Sequence, residues 1–326
     1  MKNKGFTLIE LLGVIMILAI LALITFPPII EEIKKSKSEI KGTTKVLIID
    51  AAKDYYEDNI NNYELIEGVT YCININTLSE QGYLNKKIKD ENLNDINTSK
   101  NVKLVYHNAK FDYDVVDSCT YYTVTFDANG GNVDIDSKEV IENSVYGTLP
   151  TPTRAGYTFM GWNGKNLFNE RDWLLAINNA TYDSEIGYYV FKVTDARNLY
   201  GRPYGSIPFK NFKENTQYTY TVMGHTVGRE GANNTLKFYY YYTDGTASYK
   251  DVTPSTDVLH VSSQSEKTIA TSEFTWNSSD VTAYISHIQL EEGDTATEYE
   301  PYYVTSETKV TRNYDHTLKA IWKENE

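Results

Sequence analysis

From Phe6 to Ile30 the chain runs for 25 residues with a single charged side chain, Glu10, and that run limits what the rest can be. It is long enough to cross a bilayer as a helix. A short basic leader, Met1-Lys2-Asn3-Lys4-Gly5, precedes it. A secretory signal would have a shorter apolar region followed by small residues for cleavage. Here the far side is Pro27-Pro28 and then Glu31-Glu32-Ile33-Lys34-Lys35, which reads as helix and offers no such site. A plain membrane anchor accounts for the hydrophobicity but not for Glu10. An ionised carboxylate in a membrane helix costs about 2.5–3.5 kcal/mol on insertion scales, which marks it as functional.

The junction Lys4-Gly5-Phe6-Thr7-Leu8-Ile9-Glu10-Leu11-Leu12 resembles the class III leader of type IV prepilins. The resemblance implies that a membrane prepilin peptidase cuts between Gly5 and Phe6 and methylates the new N-terminal Phe6. It also implies that Glu10 pairs with the terminal amine of a neighbouring subunit during assembly. The physics agrees, because a buried carboxylate is tolerable only when paired. Pro27 sits where the family often has a proline that lets the helix unwind in the filament. Pro28 strengthens that break, since neither residue donates a backbone hydrogen bond. The partners implied are other pilin subunits, the peptidase and, before assembly, the membrane. The implied location is the cell membrane for the precursor and then the extracellular pilus.

Beyond the prolines a second helical stretch is expected. Ile33, Ile40 and Leu47 recur every seven residues and form one stripe expected to cover the protein's own head. The helix, residues 6–62, is expected to end near Asn59-Ile60-Asn61-Asn62, because Asn disfavours helix interiors. Fully helical, it would span about 85 Å. Residues 63–120 read as a small pilin head, with strands at Tyr71–Ile75 and Val102–Tyr106. Between them Thr77–Leu84 resembles the short helix and turn of Gram-positive pilins. The only two cysteines, Cys72 and Cys119, fall in this head. Outside the cell they are expected to form a disulfide, the alternative being two separate buried thiols.

Tyr122–Phe126 alternates strictly and enters an Asn129-Gly130-Gly131 turn. With Tyr146–Trp162, which includes Gly156-Tyr157-Thr158-Phe159-Met160-Gly161-Trp162, it resembles the internalin-type B repeat, a β-grasp-like module of bacterial surface proteins. Such repeats end on a strand closing in Ala-x-Trp. Here that ending comes only at Ala320-Ile321-Trp322. The reading is therefore a repeat split into 121–162 and 304–326 by an insertion, 163–303.

The insertion reads as all-β, with strand-like runs at Tyr188–Val193, Tyr218–Met223, Leu236–Tyr242 and Tyr284–Leu290. Many short strands at this spacing point to a sandwich or jelly roll. Its ends, Asn166-Leu167-Phe168-Asn169 and Ile285–Tyr302, resemble carbohydrate-binding-module-like sandwiches, whose first and last strands lie close together. Adjacent termini are what an insertion requires. The fold class expected is therefore α+β: a long N-terminal helix with a small β head, then a β-grasp-like repeat split by an all-β sandwich.

No arrangement of residues points to an enzyme. The five histidines are scattered, without HExxH, CxxC or phosphate-loop spacing. A formal charge of −13, with no Lys/Arg cluster, argues against nucleic acid as a partner. Sandwiches of this kind often hold a structural Ca²⁺, and the supply of Asp, Glu and Asn permits one, but no ligand set stands out. Composition stands out in tyrosine, at 28 residues. In Phe238-Tyr239-Tyr240-Tyr241-Tyr242 the plain reading is a strand with one face in the core. The functional reading is a sugar platform. Side chains alternate along a strand, so Leu236, Phe238, Tyr240 and Tyr242 share one face and Lys237, Tyr239 and Tyr241 the other. Trp173, Arg202 and Trp276 are candidates to complete the site. The function expected is a minor pilin displaying a module that binds a surface, host or biofilm glycan. The alternative is a structural pseudopilin or tip-capping pilin.

Mass spectrometry of assembled pili is expected to show a chain starting at N-methylated Phe6. An intact Met1 start in fibres would sink the assignment. Glu10→Ala is expected to yield processed precursor in the membrane that assembles poorly.

Overall fold

The computed structural model describes residues 8–85, 87–90, 92, 94–169, 180–193, 206–207, 212–227, 236–252, 258–264, 266–276 and 281–326. The chain divides into two units, Met1–Thr120 and Tyr121–Glu326.

The first unit opens with helix α1, Leu8–Asp58. Gly5 and Phe6 lie outside the described residues, and Glu10 lies within α1 with its side chain outside them. The side chains of 18–30 are likewise outside, so the expected membrane run falls largely beyond the description. Among the described residues no helix is long and apolar enough to cross a membrane. In the single chain the backbone is helical through Pro27 and Pro28, whose expected unwinding belongs to the filament. Each proline removes one ladder donor, while its fixed φ is compatible with a helix. α1 ends at Asp58, beside the expected Asn59-Ile60-Asn61-Asn62 stop. Asn59 leaves the helix with φ −118°, its side-chain amide donating to the Tyr55 carbonyl at 2.8 Å, and a 3-10 turn follows at Ile60–Asn62. A short polar side chain has here replaced the helix ladder as the backbone's partner.

Strand β1, Thr70–Asn74, runs into helix α2, Ile75–Glu80. Asn74 caps α2, its side chain accepting from the Asn76 N–H at 2.9 Å, which stops the strand one residue short of Ile75. β2, Asn101–His107, and β3, Lys110–Val116, complete an antiparallel sheet in the order β1-β2-β3. The helix face buried against it is Ile48, Ala51 and Ala52, packed with Ile73, Leu78 and Leu104. The expected stripe is therefore misplaced, since Ile33 and Leu47 are exposed. α1 meets the head from Lys37 onward, Lys37 bonding Asn92 at 3.1 Å and Thr44 the Lys89 carbonyl at 2.9 Å, but its fully buried apolar residues begin at Ile48. Cys72 on β1 is bonded to Cys119 across 47 residues, with Cα atoms 6.6 Å apart. Closing a loop of that size contributes about 4 kcal/mol on the chain-entropy model.

The second unit begins with β4, Tyr121–Asp127, β5, Ser137–Ile141, and β6, Tyr157–Asn163. Then come β7, Thr181–Asp183, β8, Tyr188–Val193, β9, Ser206–Ile207, and β10, Tyr218–Val227. β11, Leu236–Tyr242, β12, Ala247–Val252, β13, Val258–Ser262, β14, Ile269–Trp276, and β15, Val281–Glu292, follow. The chain closes on β16, Tyr303–Val304, and β17, His316–Glu324.

One five-stranded sheet has the order β16-β6-β17-β4-β5. Its central strand, β17, comes from the end of the chain. It pairs parallel with β4, Leu318 opposite Phe126, and antiparallel with β6, Ala320 opposite Trp162. Val124, Phe126, Tyr146, Trp162, Leu318 and Ala320 form the core, so residues on both sides of the intervening segment build it jointly.

That segment forms two further sheets, β13-β10-β15-β8-β7 and β12-β11-β14-β9. They pack face to face through tyrosines. Tyr220 and Tyr240 are both buried, with ring centroids 6.0 Å apart. The Tyr240 hydroxyl donates to the Tyr218 carbonyl at 3.2 Å, and Tyr220 bonds Ser272 at 3.1 Å. The result is a β-sandwich.

The sandwich leaves and rejoins the repeat at one place. The Gly164 N–H donates to the Tyr302 carbonyl at 2.7 Å. A Cβ on Gly164 would lie 1.6 Å from the Pro301 oxygen, so only glycine admits this approach. Next, the buried Asn166 side chain donates to the Ile288 carbonyl at 2.6 Å and accepts from the Leu290 N–H at 2.9 Å, fastening the entering chain to β15. The exit is held by Glu300, which has no exposed surface. Arg312 grips it through Nη2 to Oε1 at 2.6 Å and Nε to Oε2 at 3.2 Å. The Lys165 N–H and the Thr311 hydroxyl add bonds at 2.8 and 2.9 Å.

Arg312→Ala leaves this carboxylate buried without its counter-charge and is expected to cost about 3–5 kcal/mol. Replacing both partners, Glu300→Gln with Arg312→Met, is expected to cost less than Arg312→Ala alone. Urea denaturation of the full chain checks both.

Candidate functional site

β11 carries five aromatic residues in a row, and the pleat sorts them onto two faces. Tyr240 and Tyr242 are buried between the sheets. The Tyr242 hydroxyl bonds Ser248 Oγ at 2.7 Å and accepts from the Gln264 N–H at 3.0 Å. Burial pushes the ionisation of Tyr220 and Tyr240 upward, so the inward rings stay neutral hydrogen-bonding groups.

Tyr239 and Tyr241 take the opposite face. They are half-buried, with rings stacked at a centroid distance of 5.8 Å and 9° between planes. Tyr249 on β12 lies in register with Tyr239, its ring 5.5 Å away and 62% exposed. The β11–β12 hairpin fixes that register. Gly245 adopts φ 81°, and Asp244 accepts from the Thr246 N–H at 2.9 Å and ion-pairs with Lys267 at 2.9 Å. The bonds to Thr246 first, then Lys267, hold the Asp244 carboxyl down at about 2. The hairpin thus presents three adjacent tyrosine rings with apolar faces and hydroxyl edges.

The other residues named with this face are placed less fully. Lys237 sits on the same face of β11 by register, opposite Asp251 and Thr275, and Trp276 lies opposite Leu236, but the side chains of Lys237 and Trp276 are outside the description. Trp173 and Arg202 fall outside the described residues altogether. Tyr249 had no clear signal in the sequence: counting from Asp244-Gly245 as a two-residue turn sets it opposite Tyr240, whereas the hairpin pairs Tyr241 with Ala247 and so brings Tyr249 opposite Tyr239.

Four of the five histidines have described side chains. His316 is a core residue: its Nδ1–H donates to the Tyr314 carbonyl at 2.9 Å, leaving Nε2 to accept from the Tyr146 hydroxyl at 2.8 Å. His287 stacks on Tyr299 at 3.8 Å and His225 on Tyr284 at 4.8 Å. His107 pairs with Glu67 at the surface. Among the described residues no group of three or more His, Cys, Asp or Glu could hold a metal ion, so no donor set for Ca²⁺ is found there.

Residues 1–26 match the prokaryotic N-terminal methylation motif, the leader of type IV pilins. Residues 122–184 match the Listeria-Bacteroides repeat domain. No curated protein matches the chain. Among solved structures, a mutant family 29 carbohydrate-binding module complexed with mannohexaose aligns over 54% of this chain and 92% of its own. The identity is 10% and the TM-score 0.23, too low to carry an argument about fold or ligand.

Burial drives the pKa of His287 from 6.5 down to about 4, and that of His316 down as well. The unfolded chain therefore binds protons that the folded one refuses, and stability is lost as pH falls from about 6.5 towards 4. Melting temperatures across that range are expected to drop on acidification, and His287→Gln is expected to flatten the slope.

Proposed function

We propose that the chain is a minor subunit of a type IV pilus that carries a glycan-binding module, acting as an adhesin without catalytic activity of its own. The N-terminal methylation motif supports the pilin half of this reading, implying processing by a prepilin peptidase and assembly with other pilins. The observation that carries the binding half is the Tyr239–Tyr241–Tyr249 face. Stacked, outward rings on a rigid sheet suit the C–H faces of sugar rings, and their hydroxyls suit sugar hydroxyls. Tyr239 and Tyr241 follow one another along the strand at about 7 Å, a spacing that lets one extended saccharide touch both. Size favours a minor role. A head built from most of 326 residues would crowd a filament if repeated at every step, and is accommodated at a tip or at occasional positions.

A glycan array probed with the full chain tests the reading. Binding is expected, and Tyr239→Ala and Tyr241→Ala are each expected to weaken it about tenfold or more while leaving the melting temperature nearly unchanged. Tyr240→Ala, by contrast, empties a core site and is expected to cost about 3–5 kcal/mol of stability. An array without hits would favour a structural pilin, and turnover of a hit would make the module an enzyme.

A further inference from the structure

A second aromatic site lies where the sandwich meets the repeat, and it shares no residue with the Tyr239–Tyr241–Tyr249 face. It is a cleft of about 290 Å³. Tyr182 and Tyr189 form one side, paired across β7 and β8 with rings 4.9 Å apart. Tyr299, Tyr302 and Tyr303 form the other, with Ser286 of β15 also in the lining. Pro301, Thr305 and Thr308 complete it.

The walls are held from behind. Tyr299 is backed by the His287 ring at 3.8 Å, and Tyr302 meets Tyr303 edge to face at 4.8 Å. Tyr303 rests on Gly161, where an added Cβ would come within 2.8 Å of the ring. Gly161 also has φ 146°, so a larger residue there is excluded twice over. Tyr182 is the open lip, 56% exposed.

In a chain of net charge −13, every lining residue is uncharged at neutral pH. His287 behind the wall is neutral too, because burial holds its pKa near 4. Such a lining offers no counter-charge to a phosphate or a carboxylate, and an ammonium group would meet the ring faces but leave the hydroxyl donors unused. What it does offer is several ring faces interleaved with the hydroxyls of tyrosine, serine and threonine, the complement of a neutral, polyhydroxylated ring. The volume lies at the small end of ligand pockets, with room for one such ring rather than a chain.

We propose that this cleft is a monosaccharide-binding site for an uncharged pyranose, such as the terminal unit of a glycan. Its two sides come from the sandwich strands β7, β8 and β15 and from the closing segment and β16, so a bound sugar bridges the seam between sandwich and repeat. Occupancy therefore stabilises the joined unit as well as the ligand.

The test uses the full chain in a detergent without a sugar head group, titrated with the methyl glycosides of glucose, mannose, galactose and N-acetylglucosamine. Saturation-transfer NMR and thermal melting are the readouts. Saturable binding of at least one glycoside, with a rise in melting temperature, is expected. Tyr182→Ala, at an exposed position, is expected to weaken that binding about tenfold or more while the protein stays folded. Ser286→Ala provides an independent variant two strands away in the same sheet and is expected to weaken it as well. The proposal is overturned if no glycoside binds saturably, or if both variants bind as the parent does. It is also overturned if Tyr241→Ala abolishes binding while Tyr182→Ala does not, which would move the sugar to the outer tyrosine face. Displacement of the sugar signal by a proline-rich peptide that binds more tightly would reassign the cleft to peptide recognition.

Discussion

Glu300 is buried completely, and both its oxygens are saturated by four donors: two from Arg312, one from the Thr311 hydroxyl and one from the Lys165 backbone. A carboxylate taken out of water is tolerable only under such conditions. The three donor residues come from both ends of the interruption, Lys165 at the entrance and Thr311 and Arg312 beyond the exit. The ion pair can therefore form only when the sandwich has closed and its two ends have met. A well-packed apolar pair could match its net stability. What the charged pair adds is selectivity, because a slipped closure would strand a buried charge. Around it, Glu300 donates its own N–H to the Gln289 side chain at 2.8 Å, and Glu291 accepts the Thr297 N–H at 3.1 Å. The closing loop is thereby tied back onto β15.

The parallel pairing of β17 with β4 depends on that closure. Parallel strands require a crossover connection, usually of modest length. Here the connection between them contains an entire sandwich. The long detour is tolerable because the sandwich returns the chain to within one hydrogen bond of where it left, Gly164 to Tyr302. Loop-closure entropy grows slowly with length, and a prefolded insert with adjacent ends shortens the effective loop further.

Much of this organisation could be read from local pattern. Strict alternation at Tyr122–Phe126 and the Ala320-Ile321-Trp322 ending located two strands of a sheet whose halves lie far apart in the chain. The alternation of β11 separated Tyr240 from Tyr239 and Tyr241. The pattern did not reveal which of the 44 acidic residues would be buried, because Glu300 differs from its neighbours only in the partners that folding brings to it. The helical stripe at Ile33, Ile40 and Leu47 misled for a related reason. Periodicity identifies a face, but the extent of the head decides which face is covered: Ile40 is partly buried, Ile33 and Leu47 are exposed, and full apolar burial begins at Ile48. Asn59 and Asn74 show a third limit. Each ends an element through its own side-chain bond, a local competition that shifts boundaries by a few residues.

Tyrosine serves both the interior and the surface of the sandwich, which explains its abundance. Tyr218, Tyr220, Tyr240 and Tyr242 fill the core, and every hydroxyl finds a partner: Lys213 N–H, Ser272, the Tyr218 carbonyl and Ser248 respectively. A core of satisfied hydroxyls specifies one alignment of the two sheets, since any slip would leave several buried polar groups unpaired at about 1–3 kcal/mol each. Rigid alignment inside fixes the geometry outside, because Tyr239 and Tyr241 alternate with the anchored rings on the same strand. On the outer face Tyr239 and Tyr241 are stacked to within 9°. Its order is inherited through the backbone from the hydrogen-bonded rings beneath, so a surface that must meet ligands in water is prearranged by a core that excludes it.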